Sequence, residues 1–185
     1  MIDKARLRII LIHGNGGATT NDHWLPSLKM ALKKEGFEVV ARDFPDNEVA
    51  HEDIWLPFLK NVIEADENTI LIGHSSGAVA SMRYAEKYRI YGSVLVGVNY
   101  TDLGDPIEKE SGFYNHSWDW DKIKSNQNWI IQFDSTDDPY IPISESRYIH
   151  EKLNTEYYEF NDRGHFLVPR VPEIASAITQ KLKET

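Results

Sequence analysis

Short apolar runs alternate with longer amphipathic stretches along the whole chain. The runs at residues 7–12, 37–41, 69–72, 93–98, 129–133 and 156–160 are rich in Ile, Val, Leu, Phe and Tyr. Most are unbroken, the pattern of strands covered on both faces. Between them, residues 22–34, 52–65, 76–88, 144–153 and 172–182 carry apolar side chains at helical spacing, with a further short helical run at 122–125. Pro172 opens the last helix, where a missing N–H costs nothing. Strand and helix in alternation, joined by right-handed crossovers, predict an α/β fold with a mostly parallel sheet between two helical layers. No linker, repeat or low-complexity tract interrupts the pattern, so residues 1–185 are expected to form a single domain.

The run at 69–72 leads into Gly73-His74-Ser75-Ser76-Gly77, which satisfies G-x-S-x-G, and an Ala-rich helical stretch follows at once. Two glycines and a serine can also make a plain tight turn with Ser75 or Ser76 as helix cap. The strand before and the helix after are the context in which the motif forms a nucleophile elbow, so Ser75 is the candidate nucleophile. Ser76 lacks glycines at the right offsets for that role.

In parallel sheets, sites gather at the carboxyl ends of strands, which selects residues 13–17, Ser75, 134–138 and 161–165. A serine hydroxyl needs a base, and an imidazole base needs a carboxylate to fix its tautomer. Of the seven histidines, His165 follows a strand and a glycine late in the chain and is the candidate base. His74 adjoins the serine with its side chain expected to point away, His13 belongs to the first loop, and His23, His51, His116 and His150 lie in polar or helical settings. Asp134, Asp137 and Asp138 compete for the acid, and at least two are expected to be turn formers. Asp138 heads the D-x-x-[VI]-P pattern Asp138-Pro139-Tyr140-Ile141-Pro142 and is preferred. The order Ser, Asp, His is that of α/β-hydrolases. In that fold the backbone N–H groups of Asn15 and Ser76 are expected to form the oxyanion hole. The connection 99–128 concentrates aromatic residues, of which Trp118 and Trp120 are expected to pack on the domain. Tyr100, Phe113 and Tyr114, with His13, His74 and Phe166, are expected to line a shallow substrate pocket suited to compact acyl groups.

Several segments together carry a resemblance: GNGG at 14–17, IWLPF at 54–58, IGHSSGA at 72–78, MRYAE at 82–86, TDLGD at 101–105, STDDP at 135–139 and GHF at 164–166. They resemble the retinoblastoma-binding protein 9 family, a YdeN-like group of compact serine hydrolases in the α/β-hydrolase superfamily, over nearly the whole chain. The resemblance implies a six-stranded parallel sheet of order 2-1-3-4-5-6, and by motif it places the family's Ser, Asp and His on Ser75, Asp138 and His165. Two positions depart from the pattern. Asp134 stands where the family has glycine after the strand. The L-x-C-x-E segment that gives the family its name reads Ile63-Glu64-Ala65-Asp66-Glu67, so a retinoblastoma-type pocket protein is not an expected partner.

Composition narrows the picture further. The chain has 29 acidic against 20 basic residues and a formal charge of -9, which disfavours nucleic acid and anionic membrane, since both need clustered Lys and Arg. With no cysteine there are no disulfides, thiolate metal sites or thiol nucleophile, and a reducing compartment is consistent. The run at 7–12 is too short for a signal-peptide core, so a cytoplasmic protein is expected. The loop at 14–17 lacks the Lys-Ser/Thr of a P-loop and the full G-x-G-x-x-G, and neither cofactor nor metal is expected. The residues predict hydrolysis of a small ester or amide through an acyl-enzyme. They leave open a binding protein that keeps the elbow without turnover, and a lyase or transferase on the same fold.

Overall fold

The computed structural model describes residues 6–184. The elements run β1 (Arg8–Ile12), α1 (Leu25–Lys34), β2 (Glu38–Ala41), α2 (Glu52–Asn61), β3 (Thr69–His74), α3 (Ser76–Lys87), β4 (Gly92–Val96), α4 (Pro106–Glu110), α5 (Trp120–Ser125), β5 (Ile130–Ser135), α6 (Ile143–Leu153), β6 (Glu156–Phe160) and α7 (Pro172–Glu184). The strands form one six-stranded sheet, β2-β1-β3-β4-β5-β6, with every neighbouring pair parallel. This is the α/β-hydrolase order that the resemblance implied.

Alternation along the central strands sends side chains to both faces. Ile9, Leu11, Ile70, Ile72, Val94 and Val96 pack with Leu25, Leu28 and Leu32 of α1 and with Ile174, Ile178 and Leu182 of α7. Ile10, Ile12, Leu71 and Leu95 pack with Leu56 and Leu59 of α2, Met82 of α3, Ile123 of α5 and Ile149 of α6. Each such side chain contributes roughly 1.5–3 kcal/mol by leaving water, which explains unbroken apolar strands between two helical layers. Among the described residues, no helix is long and apolar enough to cross a membrane.

Most boundaries shift by one or two residues from the spacing-based expectation, and three of the differences have a clear local reason. Helix α1 starts at Leu25 because Pro26 must sit in a first turn, and Asp22 instead accepts hydrogen bonds from the Thr19 N–H and hydroxyl at 2.7 and 2.8 Å. Helix α2 stops at Asn61 because the chain turns through Glu64 at φ 58° and the Ala65 N–H returns to the Leu59 carbonyl at 3.0 Å. Strand β4 stops at Val96, followed by Gly97 at φ 60°.

The long connection after β4 contains α4, which apolar spacing could not reveal because none of its residues is buried. Asp105 caps it by accepting from the Ile107 and Glu108 N–H groups, and Pro106 fills its first turn. The following segment is fixed by Arg83, a fully buried cation on α3. Its guanidinium donates to the carbonyls of Phe113, His116 and Ser117 and to Glu86, and it stacks 3.4 Å from the Trp118 ring. Trp118 stacks on Trp120 and donates to the Tyr100 carbonyl at 2.8 Å. Trp118 and Trp120 therefore pack on the domain, as expected.

Helix α3 runs tightly under the sheet because Gly77 has no side chain. A Cβ there would lie 2.5 Å from the Ile12 carbonyl oxygen and 2.6 Å from that of His13, backbone atoms that cannot move aside. Gly77→Ala should therefore destabilise the protein by about 3 kcal/mol, by overpacking at the β1–α3 contact. Urea unfolding checks this, and a loss under about 1 kcal/mol would show that the helix can shift away from β1.

Candidate active site

Ser75 joins β3 to α3 at φ 54° and ψ −122°, a conformation that costs a non-glycine residue roughly 1–3 kcal/mol. Its surroundings hold it there. The Ser75 N–H donates to the Val96 carbonyl at 2.9 Å, and its carbonyl accepts from Ala78 and Val79 at 2.8 and 3.1 Å. A methyl on Gly73 would collide with the Gly77 carbonyl, so the strand and helix can cross this closely only with glycine at both positions. The side chain of Ser75 is left at the wall of an open cleft of about 750 Å³.

Beside it passes the loop after β1. A Cβ on Gly14 would sit 3.3 Å from the Ser75 Cβ, so the loop runs against the serine. His13 steers it: its Nε2 accepts from the Phe44 N–H at 2.9 Å, and its Nδ1 donates to the Gly14 carbonyl at 2.7 Å. Burial holds His13 below the ordinary histidine range, with smaller opposing effects from Gly14 and Asp43, which favours this neutral tautomer. Among the described residues, the N–H groups of Asn15 and Ser76 donate to no protein acceptor. They are free for a ligand oxygen.

His165 is nearly buried on the turn after β6, with Nδ1 2.7 Å from Asp138 Oδ2. The other carboxylate oxygen accepts from the Tyr140 and Ile141 N–H groups at 2.8 and 3.0 Å, so Asp138 is fixed on both sides. Burial alone would raise the Asp138 carboxyl, but the hydrogen bond and charge of His165 and these two N–H groups outweigh it and hold it below the usual range. Gly97 makes room for the imidazole: a Cβ there would lie 3.2 Å from His165 Cε1. The backbone of His165 is held from below by His74, whose Nε2 donates to its carbonyl at 2.8 Å. Burial foremost, then the neighbouring His165, push His74 down to about 3, so it stays neutral and keeps that donor. Among the described residues no hydrogen bond joins the Ser75 hydroxyl to His165; both line the same cleft, and such contacts tighten on substrate binding.

The other two carboxylates have structural partners. Asp137 accepts from the Ser135 hydroxyl and the Gly164 N–H at 2.5 and 2.9 Å, shaping the turn that carries His165. Asp134 is buried beside Gln132 on β5, accepting from the Val98 N–H at 3.2 Å and from Gln132 Nε2 at 2.8 Å. Burial pushes it up to about 7.

A serine on a strained turn, an imidazole paired with a carboxylate, and two free N–H groups at one mouth of the sheet are the parts of an acyl-transfer site. Residues 9–171 match the family model described as serine hydrolase. The chain belongs to the serine hydrolase family. The chain is 41% identical over 177 residues to "Serine hydrolase RBBP9" of Rattus norvegicus, with 95% of each chain covered. It is 27% identical over 164 residues to "Putative hydrolase YdeN" of Bacillus subtilis (strain 168), with 86% of each covered. The crystal structure of the ydeN gene product from B. subtilis matches it with a TM-score of 0.87 at 25% identity, covering 96% of this chain and 99% of that one.

The cleft is lined differently from the sequence-based expectation. His74 lines it, but Phe113 and Phe166 have no exposed surface and belong to the two cores. His13 is likewise buried, Tyr100 stacks on Tyr148 at 4.3 Å, and Tyr114 lies behind Asn99 and Glu108. Aromatic density in the connection reflects packing, not a pocket. The lining instead includes Leu103, Ile107, Tyr140 and Leu167, all exposed, together with His23, Glu48, Asp105 and Glu108, and neither Lys nor Arg. Exposed apolar residues beside the strand-end loops were the available signal, visible as Leu103-Gly104 and Phe166-Leu167 but without periodicity to mark them.

Asp134 makes stability depend on pH. Its folded value of about 7 lies above its unfolded value of about 3.9, so the folded state keeps a proton that the unfolded state releases. That stabilisation is complete below about pH 4 and is lost as pH rises to about 7. The stability of wild type relative to Asp134→Asn should thus fall by about 1–3 kcal/mol from pH 5 to pH 8. Urea titrations at both pH values measure it; a constant difference would contradict an uncharged buried Asp134.

Proposed function

We propose that this serine hydrolase cleaves small carboxylic esters or amides through an acyl-enzyme on Ser75. The observation that carries the reading is the 2.7 Å pair of His165 Nδ1 and Asp138 Oδ2 in the cleft that Ser75 also lines. Ser75 Oγ attacks the carbonyl carbon while His165 Nε2 takes its proton. The carbonyl oxygen becomes an oxyanion that accepts from the Asn15 and Ser76 N–H groups. His165 returns the proton to the leaving alcohol or amine, the acyl group stays on Ser75, and water activated by the same imidazole releases it. Asp138 holds the Nδ1–H tautomer and stabilises the imidazolium. No step calls on a metal or cofactor.

For the substrate, we propose a compact acyl group, with aromatic and aminoacyl esters or amides included. The apolar rim of Leu103, Ile107, Tyr140 and Leu167 supports a small aromatic or aliphatic group, and carboxylates without a Lys or Arg support a neutral or cationic one. A retinoblastoma-type partner is not proposed: besides lacking the motif residues, the stretch that corresponds to it buries Ile63 and Ala65 in the core.

Asp138→Asn should lower kcat on a p-nitrophenyl ester by about 10⁴-fold at neutral pH, through the wrong imidazole tautomer. Asp134→Asn and Asp137→Asn should each cost far less, and equal losses at Asp134 and Asp138 would refute the assignment of the acid. Across p-nitrophenyl esters of increasing length, kcat/KM should fall beyond medium chain length. A preference for long-chain or emulsified esters would overturn the substrate proposal.

A further inference from the structure

Asn15 carries one of the two N–H groups proposed to meet the oxyanion, and it is held through both its backbone and its side chain. Gly14 and Gly16 flank it, Gly16 at φ 66°. The backbone of the loop is tied at the Gly14–Asn15 peptide, where the Gly14 carbonyl accepts from His13 Nδ1 at 2.7 Å, and again from Gly16 onward, where Gly16 and Gly17 donate to the carbonyls of Glu48 and Asn47, both at 3.1 Å. Glycines on both sides allow this peptide a wide range of orientations, so the direction of the Asn15 N–H depends on these tethers acting together. A further tether is the Asn15 side chain, whose Nδ2 donates to Glu108 Oε1 on α4 at 2.8 Å.

Glu108 is itself held. Its second oxygen accepts from the Tyr114 hydroxyl at 3.0 Å, and that hydroxyl accepts from Asn99 Nδ2 at 2.8 Å. Burial, with the Glu108 charge second, pushes the Tyr114 hydroxyl well above its ordinary range, so it remains a donor to the carboxylate. The loop leading into α4 is fastened to α6, where the Glu145 carboxylate accepts from the Tyr100 N–H, the Thr101 N–H and the Thr101 hydroxyl at 3.0, 3.0 and 2.9 Å. Restraint thus runs from α6 through α4 to the oxyanion loop. A carboxylate cannot itself stabilise the negative charge that develops beside it, so a contribution of Glu108 to the oxyanion step would run through the Asn15 amide.

We propose that Glu108 is a positioning residue for the oxyanion hole, acting through the Asn15 side chain to aim the Asn15 N–H at the developing charge. The inference rests on the hydrolase reading above and adds a residue that reaches the oxyanion hole through Asn15. A charge-assisted hydrogen bond to an amide is strong enough to hold a loop between two glycines, and a misdirected donor loses most of its value to the transition state.

The test uses p-nitrophenyl acetate, which has no amine for a carboxylate to bind, and an aryl boronic acid. The boronic acid forms a bond from boron to Ser75 Oγ, giving an anionic tetrahedral boron whose oxygen occupies the oxyanion hole. Glu108→Ala should lower kcat by about 10- to 100-fold with KM changed by less than about threefold, and should weaken boronate inhibition by the same factor as kcat. Glu108→Gln, which keeps an oxygen acceptor for Asn15, should recover most of the loss. Asn15→Ala removes the same contact from the other side while leaving α4 on Tyr114, and carries the test if Glu108→Ala does not fold. The double variant should be no worse than the poorer single one. A rise in KM alone, unchanged boronate affinity, or losses that multiply in the double variant would overturn the proposal. If the wild type is active and Glu108→Ala is unimpaired, only this inference fails. If the wild type neither hydrolyses the ester nor binds the boronate, the hydrolase reading fails and takes this with it.

Discussion

The close crossing of β1, β3 and α3 is the constraint on which the rest of the structure depends. The chain leaves β3 and enters α3 through a single strained residue, and the helix then passes within contact distance of the carbonyls that end β1. Only glycine at 73 and 77 permits that approach, and only a well-packed sheet on both faces can hold Ser75 at positive φ. The strain is therefore offset by the two hydrophobic cores, whose strand residues pack toward opposite helical layers. Function and stability are linked here: the same contact that exposes the serine hydroxyl brings the first loop against it.

Around that crossing the polar groups divide into those that react in the proposed mechanism and those that hold them. Histidines are used in both ways. His13 and His74 are buried and kept neutral, each fixing a loop through a backbone contact, whereas His165 pairs with a carboxylate and faces the cleft. The carboxylates divide likewise. Asp138 is drawn into the charged form by its imidazole and two N–H groups, Asp137 shapes a turn, and Asp134 is pressed toward the neutral form inside the sheet. Environment, more than residue type, sets each role.

Much of this was legible in the sequence because the relevant signals are local. Unbroken apolar runs mark strands buried on both faces, and a glycine-spaced serine between strand and helix marks the elbow. The strand order came through the resemblance, since spacing alone cannot choose among parallel topologies. What stayed hidden depends on tertiary contacts. Helix α4 has no buried residue and therefore no periodicity, so Glu108 within it gave no sign of meeting Asn15, 93 positions away. Phe113 and Tyr100 read as pocket residues because a loop rich in aromatics either packs or binds, and the buried Arg83 that gathers this segment onto α3 could not be foreseen from its position in an ordinary helix. Asp134 shows the same limit: of its partners, Gln132 is two residues back on the same strand but Val98 follows the neighbouring strand 36 positions earlier, a contact invisible to motif reading.

The central claim is that Ser75 carries the acyl group. Peptide mapping by mass spectrometry after reaction with a fluorophosphonate, in parallel with trapping of the acyl-enzyme from a slowly turned-over p-nitrophenyl ester, tests it most directly. The account predicts one adduct per chain from either reagent, on Ser75, absent from folded Ser75→Ala. An adduct on Ser76, or no adduct on the folded wild-type protein, would contradict it.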